Sequence, residues 1–509
     1  MITAPASQAT HSPVWTEGVH LPKGRPLRVN QTADVCVVGA GIAGVTTAYL
    51  LARQGKSVVL VDDGDVASGM TSVTSAHLST AVDAGYAEIE RLHGERGARL
   101  AAASHAAAID WIERTVQEEN IACEFARVDG YLCAVADGDV DRLEQDLEAA
   151  RRAGVPGVQR LPRAPLDAFG SGPCLRFPNQ AQFHPLKYLA ALARSFTRSG
   201  GRLYTHSHVD AVKGGKEAGV TIGSARVDAG AVIIATNSPI NDLVAIHTKQ
   251  AAYMTYVLGL RIPKRSVVPA LYWDTADPYH YVRVLTRRGT SDLLIVGGED
   301  HKTGQADDTG ERHQRLEAWA RPRFPMAEDV EYAWGGQVLE PVDRVAFIGR
   351  NPLDADNVYV ATGDAGMGLT HGTIAAMLFA DLIEGRDNEW AALYDPSRKS
   401  LGSLGRFAKE AVNVAMQYAD WVTPGDVADP DLIAPDSGAV IRRGLKKVAV
   451  YRSAEGEFVE RSAVCPHLGC IVQWNDAEKT WDCPCHGSRF AKTGTVINGP
   501  ANSDLAPAD

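Results

Sequence analysis

The sequence predicts an α/β chain: a parallel-sheet domain towards the N-terminus, an α+β part inserted into it, and a small all-β domain at the C-terminal end. Three observations predict this class. A buried-strand run, Asp34-Val-Cys-Val-Val38, passes through a glycine-rich turn into a helical stretch. Strand-like runs then alternate with helical periodicity up to about residue 399. From residue 435 onward only short apolar runs remain, separated by polar turns, with Cys and His in pairs between them.

Residues 1–32 read as a loosely ordered lead-in. The first strand is followed by Gly39-Ala-Gly41-Ile42-Ala43-Gly44 and a helix through Tyr49, Leu50, Leu51 and Ala52. Glycines there permit a tight turn and a close approach of backbone to pyrophosphate, while the helix N-terminus faces the phosphate charge. A second strand, Ser57-Val-Val-Leu-Val61, ends in Asp62, placed to accept a ribose hydroxyl, with Asp63 as the alternative acceptor. Strand, turn, helix, strand and acid in this order predict a dinucleotide-binding, Rossmann-type domain. The loop alone is also compatible with a structural turn, and it does not separate FAD from NAD.

The middle of the chain carries the substrate-facing candidates. Ala84 to Glu118 has helical spacing, with Ile89, Leu92, Leu100, Ile109 and Ile112 on one face. Val209-Asp-Ala-Val212, Val220-Thr-Ile222 and Ala231-Val-Ile-Ile234 read as strands. Leu271-Tyr-Trp273 and Tyr279-His-Tyr281-Val-Arg283 concentrate aromatics with one arginine. Aromatic walls and a cation suit a carboxylate-bearing substrate, so Tyr281 and Arg283 are the pocket candidates, against plain strand packing as the other reading. No general base stands out.

Near the C-terminus, Cys465-Pro-His467 and Cys483-Pro-Cys485-His486 give the spacing C-x-H-x15-C-x2-H. Two thiolates on one iron, Cys465 and Cys483, and two imidazoles on the other, His467 and His486, form the mixed set of a Rieske [2Fe-2S] centre. Two Cys and two His can also close a tetrahedral zinc site. The stretches Cys465 to Cys470 and Cys483 to Ser488 resemble the ligand loops of Rieske proteins from cytochrome bc complexes, which favours the cluster. That resemblance implies a disulfide between Cys470 and Cys485; free thiols are the alternative where a compartment is reducing. It also implies that Gly469 and Gly487 leave room for N–H groups near the sulfides, that Ser488 donates to sulfur, and that Gly499-Pro500-Ala501 covers the cluster. Few residues follow this loop, so the final strand is expected to be short or missing. Phe490 stands where high-potential members carry a tyrosine, and a phenyl ring cannot donate a hydrogen bond. Around these loops, Val448–Tyr451, Phe458–Val459, Ile471–Trp474 and Thr480–Asp482 read as short strands.

A second resemblance covers about Asp34 to Arg398. Ala67-Ser-Gly69-Met70-Thr71-Ser-Val-Thr74-Ser75, Phe183-His-Pro185-Leu, Ala235-Thr236-Asn-Ser-Pro239, Gly297-Gly-Glu-Asp300 and Val360-Ala-Thr-Gly363-Asp-Ala-Gly366-Met367-Gly368-Leu-Thr370 follow in order. The chain resembles the D-amino-acid oxidase/glycine oxidase superfamily, and more narrowly its bacterial members with a C-terminal Rieske domain. The resemblance implies FAD as cofactor. The Gly69 to Ser75 segment would run along it, Val209, Ala235 and Thr236 would contact it, and the Gly363 to Thr370 segment would meet the isoalloxazine ring. Thr370, Ala375, Ala376, Phe379 and Leu382 have helical spacing, so a helix N-terminus would face that ring. Some family members attach FAD to a histidine; Val73 occupies that position here and His77 lies four residues on, so non-covalent FAD is expected.

Composition sets the outer bounds. The chain has 509 residues, is 45% hydrophobic and carries a net charge of −11, which argues against a nucleic-acid-binding face. No apolar run approaches the ~20 residues of a membrane span, and the N-terminus lacks a signal-type apolar region, so a cytoplasmic protein is expected. Cys36, Cys123, Cys133 and Cys174 are scattered singly and read as buried thiols. The expected organisation is 1–32 lead-in, 33–399 FAD-dependent oxidoreductase, 400–434 linker arm with a helical stretch from Phe407 to Trp421, and 435–509 Rieske domain. The expected function is oxidation of a small amine or amino-acid-like substrate by hydride transfer to FAD, with electrons leaving through the cluster to an unknown acceptor. A reductase feeding a separate oxygenase and a non-enzymatic redox sensor are the alternatives.

Overall fold

A computed structural model describes residues 9–136, 138–170, 172–241, 246–399 and 401–508. The first strand, β1 (Gln31–Val38), the helix α1 (Ile42–Arg53) and the second strand, β2 (Val58–Val61), form the unit that the glycine turn announces. β1 and β2 run parallel with Val35 opposite Val58 and Val38 opposite Val61. Val35, Cys36, Val37 and Val38 of β1 and all of β2 are buried, as expected of parallel strands covered on both faces.

This unit belongs to an eight-stranded sheet. Its parallel path runs Val358–Thr362, Ala225–Ile234, β1, β2, Arg202–Tyr204, with Phe347–Arg350 added antiparallel at one edge. Helix Gly368–Ile383 packs on α1, close enough that a Cβ on Gly372 would lie 2.8 Å from the Ile42 side chain. A second, nine-stranded sheet supplies the inserted part. It is built on the long strands Gln250–Pro263, Ser291–Lys302 and Val330–Pro341, and continues through Tyr281–Leu285, Leu271–Asp274, Ala126–Cys133, Cys174–Gln182 and His77–Leu78.

Several elements shift from the sequence reading. The strand expected at 209–212 is Ala211–Lys213, because the Val209 carbonyl accepts a hydrogen bond from the Asn502 side chain instead of entering a ladder. The helix Tyr86–Glu118 is broken at Gly94, whose φ of 70° lies outside helical space. The arm helix is Leu404–Gln417, tightened into a 3-10 turn over Tyr418–Trp421. Cys133 and Cys174, far apart in sequence, face each other across paired antiparallel strands.

The C-terminal part holds two small sheets. Ser437–Arg443, Lys446–Arg452 and Phe458–Ser462 form one; Gln473–Asn475, Thr480–Asp482, Arg489–Ala491 and Val496–Asn498 form the other. Tyr451, Trp481, Phe490 and the buried cysteines share their core. The last strand is reduced to a bridge between Arg461 and Pro507, with the Ser462 N–H donating to the Ala506 carbonyl.

Candidate functional site

The glycine turn is built so that no side chain fits inside it. Gly39 has φ +102°, and a Cβ there would lie 2.4 Å from the Ala235 carbonyl oxygen. A Cβ on Gly44 would lie 1.7 Å from the Gly39 carbonyl oxygen, so α1 sits directly on the turn. Gly41 caps α1 without a side chain; the Ile42 N–H donates to the Thr71 hydroxyl at 3.0 Å, and the other first-turn N–H groups, which have no partner within the helix, are those available to an anionic group. Asp62 props the turn: its carboxylate accepts from the Ala40 N–H at 2.5 Å and the Gly64 N–H at 2.8 Å. Burial nevertheless pushes the Asp62 carboxyl up to about 6. Asp63 pairs with His208, whose hydrogen bond holds the Asp63 carboxyl below the usual carboxylate range.

These groups open onto one cavity of about 330 Å³. Its walls include Gly39, Gly41, Ile42, Ala43, Asp62 and Asp63; Gly69, Met70, Thr71, Thr74 and Ser75; Val209, Ala235 and Thr236; and Gly366, Met367 and Gly368. Three other expected cofactor contacts lie behind the wall. Gly44 is under the turn, Gly363 turns with φ +68° against Pro341, and the buried Thr370 hydroxyl donates to the Met367 carbonyl at 3.0 Å.

The two substrate candidates part company. Tyr281 lines the cavity, with its hydroxyl 3.1 Å from the Thr255 hydroxyl and its ring edge-on to His77. Arg283 does not reach the cavity, which corrects the expectation that its cation faces substrate. Two residues along one strand keep the same face but move it ~7 Å. There the guanidinium donates to the Ala76 carbonyl at 2.6 Å and lies under the Trp15 ring, 1% exposed. It is a core staple.

Other groups on the wall are not singled out as site residues by the sequence. Asp83, His77, Trp273, Tyr279, Asp364 and Gln337 line the cavity. So do Val496, Ile497, Asn498, Gly499, Ala501 and Asn502, all from the C-terminal domain.

That domain brings its four expected ligands together. Cys465 and Cys483 are buried with their sulfurs within hydrogen-bond reach, and the His467 and His486 rings stand edge-on with centroids 4.9 Å apart. His486 Nδ1 is buried and has no hydrogen-bond partner among the described residues, as a nitrogen reserved for a metal would be. Gly469 and Gly487, each at φ +80°, close the two loops with N–H bonds to the Cys465 and Cys483 carbonyls. Cys470 and Cys485 form a disulfide that ties the loops to each other. The Ser488 hydroxyl bonds the Cys465 sulfur and accepts from the Ala501 N–H at 2.9 Å, which anchors the covering loop. The donor set fits a [2Fe-2S] cluster with two thiolates and two imidazoles.

The histidine face of this centre is turned inward. His247, from the oxidoreductase part, stands edge-on to the His467 ring at 5.1 Å and the His486 ring at 6.4 Å. Gln337 joins the two sites: its N–H donates to the Met70 sulfur at 3.3 Å, and its side-chain amide donates to the Gly487 carbonyl at 2.7 Å. Asn498 donates to the same Gln337 side chain. On the opposite rim, Asn502 donates to the Val209 carbonyl at 2.9 Å, and His208 lies 3.2 Å from the Asn502 carbonyl. From the arm, Tyr418 and Trp421 donate to the carbonyls of Leu468 and Gly469 in the first ligand loop.

Comparison with known proteins fits this geometry. The family model described as FAD dependent oxidoreductase, DAO, matches residues 34–382. The chain belongs to this family. A Rieske [2Fe-2S] domain model matches residues 424–508. This DAO-family oxidoreductase therefore binds FAD in its first part and a [2Fe-2S] cluster in its second. It is 32% identical over 503 residues, 97% of each chain, to the putative Rieske 2Fe-2S iron-sulfur protein YhfW of Bacillus subtilis. It is 26% identical over 366 residues, 70% of this chain and 84% of the other, to gamma-glutamylputrescine oxidoreductase of Escherichia coli. Among solved structures, glycine oxidase from Geobacillus kaustophilus superposes with a TM-score of 0.59 at 18% identity, covering 73% of this chain and all of that one, a likeness of fold. Among the described residues, no helix of this oxidoreductase is long and apolar enough to cross a membrane.

Proposed function

We propose that this protein oxidises a small amine or amino-acid-like substrate at its FAD and sends the electrons out through its own Rieske cluster. One observation carries the reading: a single cavity is walled by the dinucleotide turn, by the 366–368 segment and by the loop that covers the cluster. When bound, FAD supplies a hydride acceptor and the cluster supplies a one-electron outlet. The chain's own residues prepare the site. Burial, helped by Arg283, pushes His77 down to about 3, so it offers a neutral imidazole whose Nδ1 meets the Ser75 hydroxyl at 3.0 Å. Helix Gly368–Ile383 has no side-chain cap at Met367 and begins on the wall at Met367 and Gly368, where its dipole stabilises negative charge. Loop 496–502 closes the cavity against water from the cluster side.

Anaerobic mixing with a reducing amine tests this. The expected result is loss of flavin absorbance followed by the electron paramagnetic resonance signal of a reduced Rieske centre in the same molecules. A substrate that bleaches the flavin and never reduces the cluster would defeat the outlet. Redox titration of the cluster checks a further point. Phe490 is fully buried opposite Trp481 and offers no hydroxyl to a ligand sulfur. The midpoint is therefore expected in the lower part of the Rieske range of about −150 to +300 mV, and Phe490→Tyr is expected to raise it.

A further inference from the structure

The cavity wall is rich in carboxyl groups, and among the described residues its one ion-paired imidazole, His208, is held by Asp63 at the glycine-turn end. Among the described residues, Asp62, Asp63, Asp83 and Asp364 line the cavity and no Lys or Arg side chain does. Asp62 and Asp63 belong to the glycine-turn end. Asp83 and Asp364 gather around the segment that the family resemblance sets against the isoalloxazine ring. A Cβ on Gly366 would lie 2.1 Å from Asp83 Oδ2 and 3.9 Å from the Tyr279 hydroxyl, and one on Gly368 would lie 2.6 Å from Asp364 Oδ2.

This end holds unused hydrogen-bonding capacity. Asp83 is exposed and lines the cavity, and its carboxylate accepts one long bond, from Tyr279 at 3.4 Å. Asp364 Oδ1 and His77 Nε2 are buried and without hydrogen-bond partners among the described residues. Each can accept a proton donor, since His77 is neutral. The Tyr279 and Tyr281 rings, 5.7 Å apart, and Trp273 supply π faces on the same wall. Nearby cations are occupied elsewhere: Arg283 by main-chain carbonyls, Arg344 by Glu340 and Arg312 by Asp308. Desolvation by the surrounding protein, with repulsion from Glu340, Asp300 and Asp364, pushes the Asp83 carboxyl upward. Burial and Glu340 push Asp364 up to about 7. An ammonium group placed between them relieves both costs.

We propose that the substrate end of this cavity selects an organic cation, an alkylamine or diamine without a carboxylate, whose ammonium is held by Asp83 and Asp364 against the aromatic rings. An α-amino acid is rejected, because its carboxylate would face two others with no arginine or lysine to receive it. The proposal rests on reading the cavity as the site of amine oxidation, and it narrows the amine-or-amino-acid class to the amine.

The test titrates the FAD- and cluster-loaded protein anaerobically with butylamine, diaminobutane, glycine and acetate, following the flavin spectrum. Saturable perturbation or bleaching by the two amines, with none from glycine or acetate, is expected. Asp83→Asn is expected to weaken the amine effect by about tenfold or more, and Asp364→Asn likewise, with flavin content checking that each variant is loaded. Glycine or acetate perturbing the flavin at lower concentration than the amines overturns the proposal. So does a flavin-loaded Asp83→Asn protein that responds to amines as before, or a complete lack of response to amines. Saturable perturbation without bleaching leaves the charge selection standing and removes the oxidation reading, so the two fail separately.

Discussion

Replacing Cys483 with serine is expected to empty the Rieske site of iron and acid-labile sulfide while leaving FAD in place. A serine hydroxyl stays protonated near neutral pH and is a hard donor, whereas an iron of the cluster needs two soft thiolates. The remaining thiolate, Cys465, cannot hold that iron alone, and His467 and His486 then lose the metal that fixes their rings. The flavin turn, 39–44, and its strut Asp62 make no hydrogen bond to the substituted sulfur among the described residues. The measurement is a pair of absorbances, with iron analysis: the cluster bands disappear and the flavin band stays. Substrate then bleaches the flavin of the variant as in the parent, but the artificial or natural one-electron acceptor is reduced only at the rate of direct flavin oxidation. Unchanged acceptor reduction in an iron-free protein would show that electrons bypass the cluster. The domain is also expected to lose stability, because metal-binding free energy is folding free energy wherever the ligands are unorganised without metal. The disulfide Cys470–Cys485 and the clasp of Tyr418 and Trp421 hold the loops when the metal is absent, so partial order is expected to survive.

The parts of the molecule legible in the sequence are those where chemistry demands a fixed spacing. Two loops presenting two ligands each, a turn that tolerates no Cβ, and a buried strand ending in an acid all leave local traces, and local traces survive without coordinates. Asp83 and Gln337 leave none. Asp83 lies in a turn before a helix and resembles any solvated acid, until the fold brings Gly366 and Tyr279 against it. Gln337 sits in a long strand and matters because its two ends meet Met70 and Gly487, 267 and 150 residues away along the chain. Arg283 misled for the opposite reason. A cation beside a run of aromatics suggested a carboxylate seat, but proximity in sequence says nothing about where along a strand a cavity ends. The lid from 496 to 502 is the largest omission. Sequence patterns described the two domains one at a time, and only long-range packing makes the covering loop of one into a wall of the other.

Gly44→Ala is expected to cost the protein its flavin. The added methyl would lie 1.7 Å from the Gly39 carbonyl oxygen, less than half a normal contact of ~3.5 Å. That obstacle is backbone, fixed by φ +102° at Gly39 and by the Gly39 N–H bond to Val61, so it cannot rotate aside. Either α1 moves off the sheet or the turn opens. In the first case α1 loses its fit against helix Gly368–Ile383, where Gly372 already approaches Ile42 without room to spare. In the second the Ala40 N–H leaves Asp62, and a carboxylate buried at the end of β2 loses a partner. Overpacking of this kind costs about 1–3 kcal/mol when side chains can yield, and the upper end applies here. Since the distorted element is the pyrophosphate seat itself, FAD affinity is expected to fall by about a hundredfold, near 3 kcal/mol. The flavin-to-protein ratio after gel filtration and the melting temperature with and without added FAD measure the two effects. Gly69→Ala separates them: a Cβ there meets nothing within 4 Å, so the flavin-free protein should melt as the parent does. Any loss of flavin in that variant would then report the close approach of the cofactor to the 69–75 segment, whereas Gly44→Ala must lower both readings together.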